Sequence, residues 1–266
     1  MTFHQFYSFQ DLKLFSLKTV AFDVGDFAVP SLEQGGDLLV NNCPGLEVYG
    51  FYLQGVNDVF STQVNFFQTL RLLYMISLNP HSKTVNATPL LSNAYWASLR
   101  ELTLFGFHFI SAELRAFLVS HPTITILSLM SIRIDEPLVL PAGVLPNLKR
   151  LSADLDSSVI DSVLNSPTSL PRPLESILGA VLNGVFLDKL NDSGSGATLK
   201  ELRCECSDSD DLCHLITRLS GIAPNLECLH ITNLDTKIPM VSIEVRCYES
   251  YDSLLTVFPF LTLLGP

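Results

Sequence analysis

The sequence predicts an α/β fold: a leucine-rich repeat solenoid, or horseshoe, with parallel strands on its concave face and helices or irregular returns on its convex face. Three observations predict it. An apolar phrase of the form Leu-x-x-Leu-x-Leu recurs along the 266 residues, starting near positions 17, 46, 73, 99, 124, 148, 174, 199 and 226. Its spacing falls in the range where each unit is one strand plus a return stacked on its neighbours. The leading residue is Leu in every unit except the fifth, where it is Ile124. A proline stands two residues ahead of that position at Pro44, Pro122, Pro146 and Pro224. Proline ends a returning helix and biases its predecessor toward extended backbone, which a helix-to-strand junction requires. One continuous solenoid spanning 1–266, with about nine degenerate units, is the expected organisation.

The returns follow in order. Ser111–Ser120 is predicted helical, with a serine cap and Leu114, Phe117 and Leu118 at helical spacing. The return 133–146 is proline-rich and reads as irregular. Helices are also expected over Ser158–Leu164 and Ala180–Leu190. From Ser207 to Leu219, Asp208, Asp210 and Asp211 at the start and Arg218 near the end match the helix dipole. A flexible tip is expected at Asn191–Ala197, which carries Gly194-Ser195-Gly196. Phe260–Leu264 reads as the opening of a further strand, and both ends look uncapped. A fragment, a dimer or a chain capped by another domain is expected from that.

Hydrophobic residues make up 47% and charged residues 16%, which nine units each burying three aliphatic positions account for. No stretch approaches the roughly twenty apolar residues of a membrane span. The opening MTFHQFYSFQDLKLFSL lacks a basic leader region and carries Asp11 within its apolar part. The six cysteines are scattered and read as reduced thiols of a cytoplasmic or nuclear protein. Asn86-Ala87-Thr88 and Asn191-Asp192-Ser193 match the glycosylation pattern, which is silent without secretion. A net charge of −11 argues against nucleic acid or anionic membrane as the partner.

Candidate chemistry is thin. Cys204-x-Cys206, Cys213-His214 and Cys228-x-His230 form the one ligand-rich region, but zinc needs four groups converging at about 2.0–2.3 Å. The repeat register sends Cys204 inward, Cys228 and His230 outward, and Cys213 onto a return helix. Asp208-x-Asp210-Asp211 lacks the glycine and late glutamate of a calcium loop. Gly194-Ser195-Gly196 is followed by no phosphate-binding lysine. The reading is therefore of a protein without catalytic residues, metal or cofactor.

What remains is the strand face opposite the leucines, since side chains alternate along a strand. The third, fifth and seventh positions of each phrase predict that Val48, Tyr52, Met75, Asn79, Phe105, Ile126 and Met130 are presented there. In later units Arg150, Asp154, Glu201, Arg203, Glu205 and His230 follow. An apolar, aromatic and methionine-bearing patch beside a mixed-charge one has the composition of an interface core. Val48, Tyr52, Met75, Asn79, Phe105, Ile126, Met130, Arg150 and Arg203 are the candidate partner-binding residues, and a protein is the expected partner on this concave face.

The phrases LRELTLFGFHF (99–109), LPNLKRLSADL (145–155) and APNLECLHITNL (223–234), separated by returns of uneven length, resemble the degenerate leucine-rich repeat region of fungal, basidiomycete-type F-box proteins. The resemblance covers nearly the whole chain. In that family an F-box docks the Skp1 subunit of a cullin ubiquitin ligase, and the repeats recruit the substrate. It implies the substrate-recognition part of such an adaptor. No F-box-like opening precedes the first repeat, so Skp1 and cullin are expected only where an F-box exists outside this chain. A stand-alone repeat scaffold or regulator is the alternative.

Overall fold

The computed structural model describes residues 18–24, 45–53, 69–77, 85–86, 88, 91, 95–154, 158–166, 170–206, 212–233 and 243–246. Two compact units make up the chain, Met1–Leu148 and Lys149–Pro266. Both are α/β, and among the described residues their strands pair parallel with one exception.

In the first unit, β1 (Thr19–Val24), β2 (Val48–Leu53) and β3 (Leu72–Ser77) pair parallel in chain order, and β3 pairs in turn with Glu101–Phe105. The short β4 (Val85–Asn86) lies between those last two in sequence, which makes Glu101–Phe105 β5. Gly106 then turns the chain into β6 (Phe107–Phe109). Its φ is +80°, and a Cβ there would strike the Ser77 carbonyl; glycine is the residue that takes this backbone without penalty. Helix α1 (Ser111–Ser120) returns the chain to β7 (Ile126–Met130), which pairs parallel with β5. The two-residue β8 (Arg133–Ile134) completes a second, three-stranded parallel sheet with β4 and β6.

The core follows the apolar period. The leading residues Leu46, Leu70, Leu99, Ile124 and Leu148 have no exposed surface, and neither do Leu73, Leu102 and Leu127 three positions later. Burying one such side chain is worth about 1.5–3 kcal/mol. Tyr49 takes that later position in its unit, and burial pushes its hydroxyl well above the usual tyrosine range.

Strand register is set by a repeated backbone device. The carbonyl of the second residue in one unit accepts two N–H groups from the next. Lys18 receives Glu47 and Val48, Glu47 receives Arg71 and Leu72, Arg71 receives Arg100 and Glu101, and Arg100 receives Thr125 and Ile126. This ladder corrects the third unit, which starts at Leu70 and not at Leu73. The run Leu70-Arg71-Leu72-Leu73 offers two apolar phases three residues apart, and the hydrogen bonds select the earlier.

The second unit repeats the plan, with a helix after each of its first three strands. β9 (Arg150–Ala153), α2 (Ser158–Asn165), β10 (Ser176–Val181), α3 (Gly184–Asp192), β11 (Glu201–Cys206), α4 (Leu212–Ile222) and β12 (Cys228–Asn233) alternate along the chain. β9 to β12 pair parallel in order. The exception is β13 (Ile243–Arg246), which runs antiparallel to β12. Here the same carbonyl device links Lys149, Glu175 and Lys200 to the following units. Their side chains alternate in sign: Lys149 meets Glu175 at 3.0 Å, and Lys200 meets Glu227 at 3.7 Å. Lys149 holds the Glu175 carboxyl below the usual range.

Several sequence expectations change. The Ser111 hydroxyl does not cap α1, whose N-cap is Ile110; the Asp135 carboxylate instead accepts the Ser111 N–H at 2.6 Å. The predicted helix from Ala180 begins at Gly184, because Ala180 and Val181 continue β10 and Asn183 caps the helix by accepting the Phe186 N–H at 2.8 Å. The expected flexible tip at 191–197 is packed: Ser195–Thr198 forms a 3-10 turn in which Ser195 and Gly196 are buried. A Cβ on Gly196 would press against the Ile222 carbonyl. Asp208, Asp210, Asp211 and the segment Phe260–Leu264 lie outside the described residues. Among the described residues no helix is long and apolar enough to cross a membrane.

Candidate protein-docking face

The site is built from strand residues of the parity opposite to the leucines. In the first unit the register aligns them into three rows running across the strands. Val48, Leu72, Glu101 and Ile126 form one row; Gly50, Tyr74, Thr103 and Ser128 the next; Tyr52, Ile76, Phe105 and Met130 the third. The described side chains of these rows are half-buried, apart from the buried Gly50, whereas Leu73, Met75, Leu102, Leu104, Leu127 and Leu129 on the same strands face the core.

Of the sequence-predicted residues here, Val48, Phe105, Ile126 and Met130 lie on this face. Met75 does not. It is 1% exposed, and the correction follows from the unit starting at Leu70, which turns Met75 inward and Tyr74 outward. Leu72, Tyr74 and Ile76 are the residues that the shifted phase concealed. Tyr52 sits in β2, but its side chain is outside the described residues, as is Asn79.

Tyr74 has a particular setting. A Cβ built on Gly50 would clash with the Cε1, Cζ and hydroxyl edge of its ring, so the ring lies against the place where residue 50 would carry a side chain. That leaves Thr103 and Ser128, small residues on the same row, between the larger rows on either side.

The matching face of the second unit is polar. Arg150 and Arg203 are exposed, while Glu201, Glu205, Asp154 and His230 are half-buried. Glu201 is fully engaged: Arg203 Nε–H donates to its Oε1 at 2.8 Å, and the Ser176 hydroxyl donates to its Oε2 at 3.0 Å. Gly179 breaks the row. It forms a bulge at φ +85°, where a Cβ would strike the Ala153 carbonyl, and it shifts Val181 opposite Glu205.

The cysteine-rich region does not converge. Cys204 and Cys206 are buried in the core, Cys213 is exposed on α4, and Cys228 is half-buried on the opposite face of the sheet. Burial pushes the Cys204 thiol up to about 12, far from the thiolate a metal requires. Among the described residues no three His, Cys, Asp or Glu side chains are grouped to hold a metal ion. A hollow of about 360 Å³ lies between α2 and α3. Its two charged groups, Lys189 and Asp161, neutralise each other at 2.8 Å. No protein-family model matches the chain, and no curated protein matches it either.

Proposed function

We propose that this chain is a non-catalytic protein-binding module, a leucine-rich repeat solenoid that docks a protein partner on the sheet face turned away from its leucines. One observation carries the reading: in the first unit, strands whose inner side chains are fully buried present Leu72, Tyr74, Ile76, Phe105 and Met130 on the other side. Half-buried aromatic and aliphatic side chains on a rigid sheet are the material of interface cores, where a few large anchors supply most of the binding energy. The net charge of −11 favours a protein over a nucleic acid or an anionic membrane as the occupant. The cytoplasm or nucleus, where its cysteines stay reduced, is the compartment this reading assigns.

The resemblance to fungal F-box proteins supports a more specific use, the recognition of substrates for a cullin ubiquitin ligase; a repeat scaffold independent of ubiquitin is the alternative. Purification of the tagged chain with its partners from the native host tests both. A partner recovered by the wild type and lost with Phe105→Asp, in a protein that still melts cooperatively, supports the docking face. Equal recovery by the two proteins contradicts it. Skp1 and cullin among the recovered proteins favour the adaptor, and a specific partner without them favours the scaffold.

A further inference from the structure

Two phrases that share the pattern Leu-(Arg/Lys)-Glu-Leu open a repeat in each of the two units. Leu99-Arg100-Glu101-Leu102-Thr103-Leu104 and Leu199-Lys200-Glu201-Leu202-Arg203-Cys204 each place a glutamate on the outward strand face. In the second phrase the arginine two residues on neutralises that glutamate at 2.8 Å. In the first phrase Thr103 stands where the arginine would be, and among the described residues no cation lies within ion-pair distance of Glu101. Glu101 sits between the apolar Leu72 and Ile126 in its row, half-buried, beside the low ground of Thr103 and Ser128. The Tyr74 ring lies against Gly50, on the side of β3 away from Thr103.

Resting on the docking reading above, we infer that the partner presents a basic side chain, Lys or Arg, flanked by large apolar residues, and that the cation pairs with Glu101 while the apolar residues cover Tyr74 and Phe105. A carboxylate in an apolar surround attracts a cation more strongly than one in open water, since the local dielectric is lower. It also rejects an acidic segment, and repulsive elements of this kind supply specificity. The overall charge of −11 draws a basic segment toward the chain from a distance.

A random peptide library displayed on phage and selected on the full chain tests this, followed by titration of the selected synthetic peptides. The expected peptides carry Lys or Arg beside large apolar residues and bind about tenfold or more weakly to Glu101→Gln, a loss typical of a removed charge pair. Thr103→Arg provides a second variant: it rebuilds the arrangement of Glu201 and Arg203, which this fold already accommodates, and is expected to lose the same peptides by supplying the cation internally. Peptides lost with Phe105→Asp yet indifferent to Glu101→Gln and Thr103→Arg overturn the basic-segment inference and leave the docking face standing. A selection without binders, or with binders indifferent to all three variants, overturns both.

Discussion

The Tyr74 ring occupies the space that a side chain on Gly50 would fill. The two residues stand side by side in the register of β2 and β3, so the glycine and the aromatic form one device: absence of a side chain on one strand fixes the ring of the next. Gly50→Val is expected to displace the ring and destabilise the first unit by about 1–3 kcal/mol, the usual cost of overpacking. Adding Tyr74→Ala removes the collision. Thermal melts of the two single variants and the double variant are therefore expected to be non-additive, with the double variant more stable than Gly50→Val alone. Additive losses contradict the contact.

His121 ties the end of α1 to the chain's one tryptophan. It is 1% exposed, its Nε2 accepts the Trp96 backbone N–H at 2.9 Å, and its Nδ1 lies 2.7 Å from the Phe117 carbonyl. The first contact requires an unprotonated Nε2 and the second a proton on Nδ1, so the ring is neutral. Burial lowers its pKa from the ordinary 6.5, against a smaller opposing effect of the Phe117 carbonyl. The unfolded chain thus binds the extra proton first. Stability from this group is complete above about pH 6.5 and declines as the pH falls below it. Melts followed by Trp96 fluorescence are expected to show that decline in the wild type and a flatter acid limb in His121→Leu, itself less stable at neutral pH by about 1–3 kcal/mol because the Trp96 N–H loses its acceptor. An identical acid limb in both proteins contradicts this role.

Arg172 is buried at 2% exposure and donates from Nη1 to the carbonyls of Val163, at 2.7 Å, and Ser166, at 2.9 Å. These are carbonyls at the C-terminal end of α2, which a cation suits electrostatically. Arg172→Met keeps the aliphatic stem and strands both carbonyls. A loss of about 2–4 kcal/mol in urea unfolding is expected, from two buried acceptors left without a donor. A loss below about 0.5 kcal/mol, the scale of neutral surface changes, contradicts the assignment.

Gly179→Ala is expected to destabilise by more than about 1 kcal/mol, because the new methyl meets both an unfavourable φ and the Ala153 carbonyl. Gly143 provides the control. Its φ is +79°, yet a Cβ there meets nothing within 4 Å, so Gly143→Ala carries the backbone cost alone and is expected to be the milder change. Equal losses in urea unfolding contradict the carbonyl contact.

The inner face of the strands was legible because its signal is redundant: among the described residues, unit after unit buries aliphatic side chains at the same fixed positions. The outer face has no such redundancy. A single phase error at Leu70-Arg71-Leu72-Leu73 was enough to exchange Met75 for Tyr74, since a shift by an odd number of residues turns every side chain of a strand over. The bounds of α1 were legible, but its cap and the packing of the 191–197 tip were not, because the deciding partners are distant in sequence. Asp135 caps α1 from 24 residues away, and Gly196 is held by the end of α4; neither contact leaves a local mark. The importance of Glu101 emerges from comparison with Glu201, whose pairing with Arg203 is a fact of geometry.

The claim most in need of test is that the outward strand face receives a protein. A photoreactive phenylalanine analogue placed at Ser128 on that face, and in a second protein at Val119 on the exposed side of α1, reads it directly by cross-linking in native-host extract. A discrete protein adduct at position 128, absent at position 119, is the predicted result. Adducts at 119 with none at 128 would contradict it.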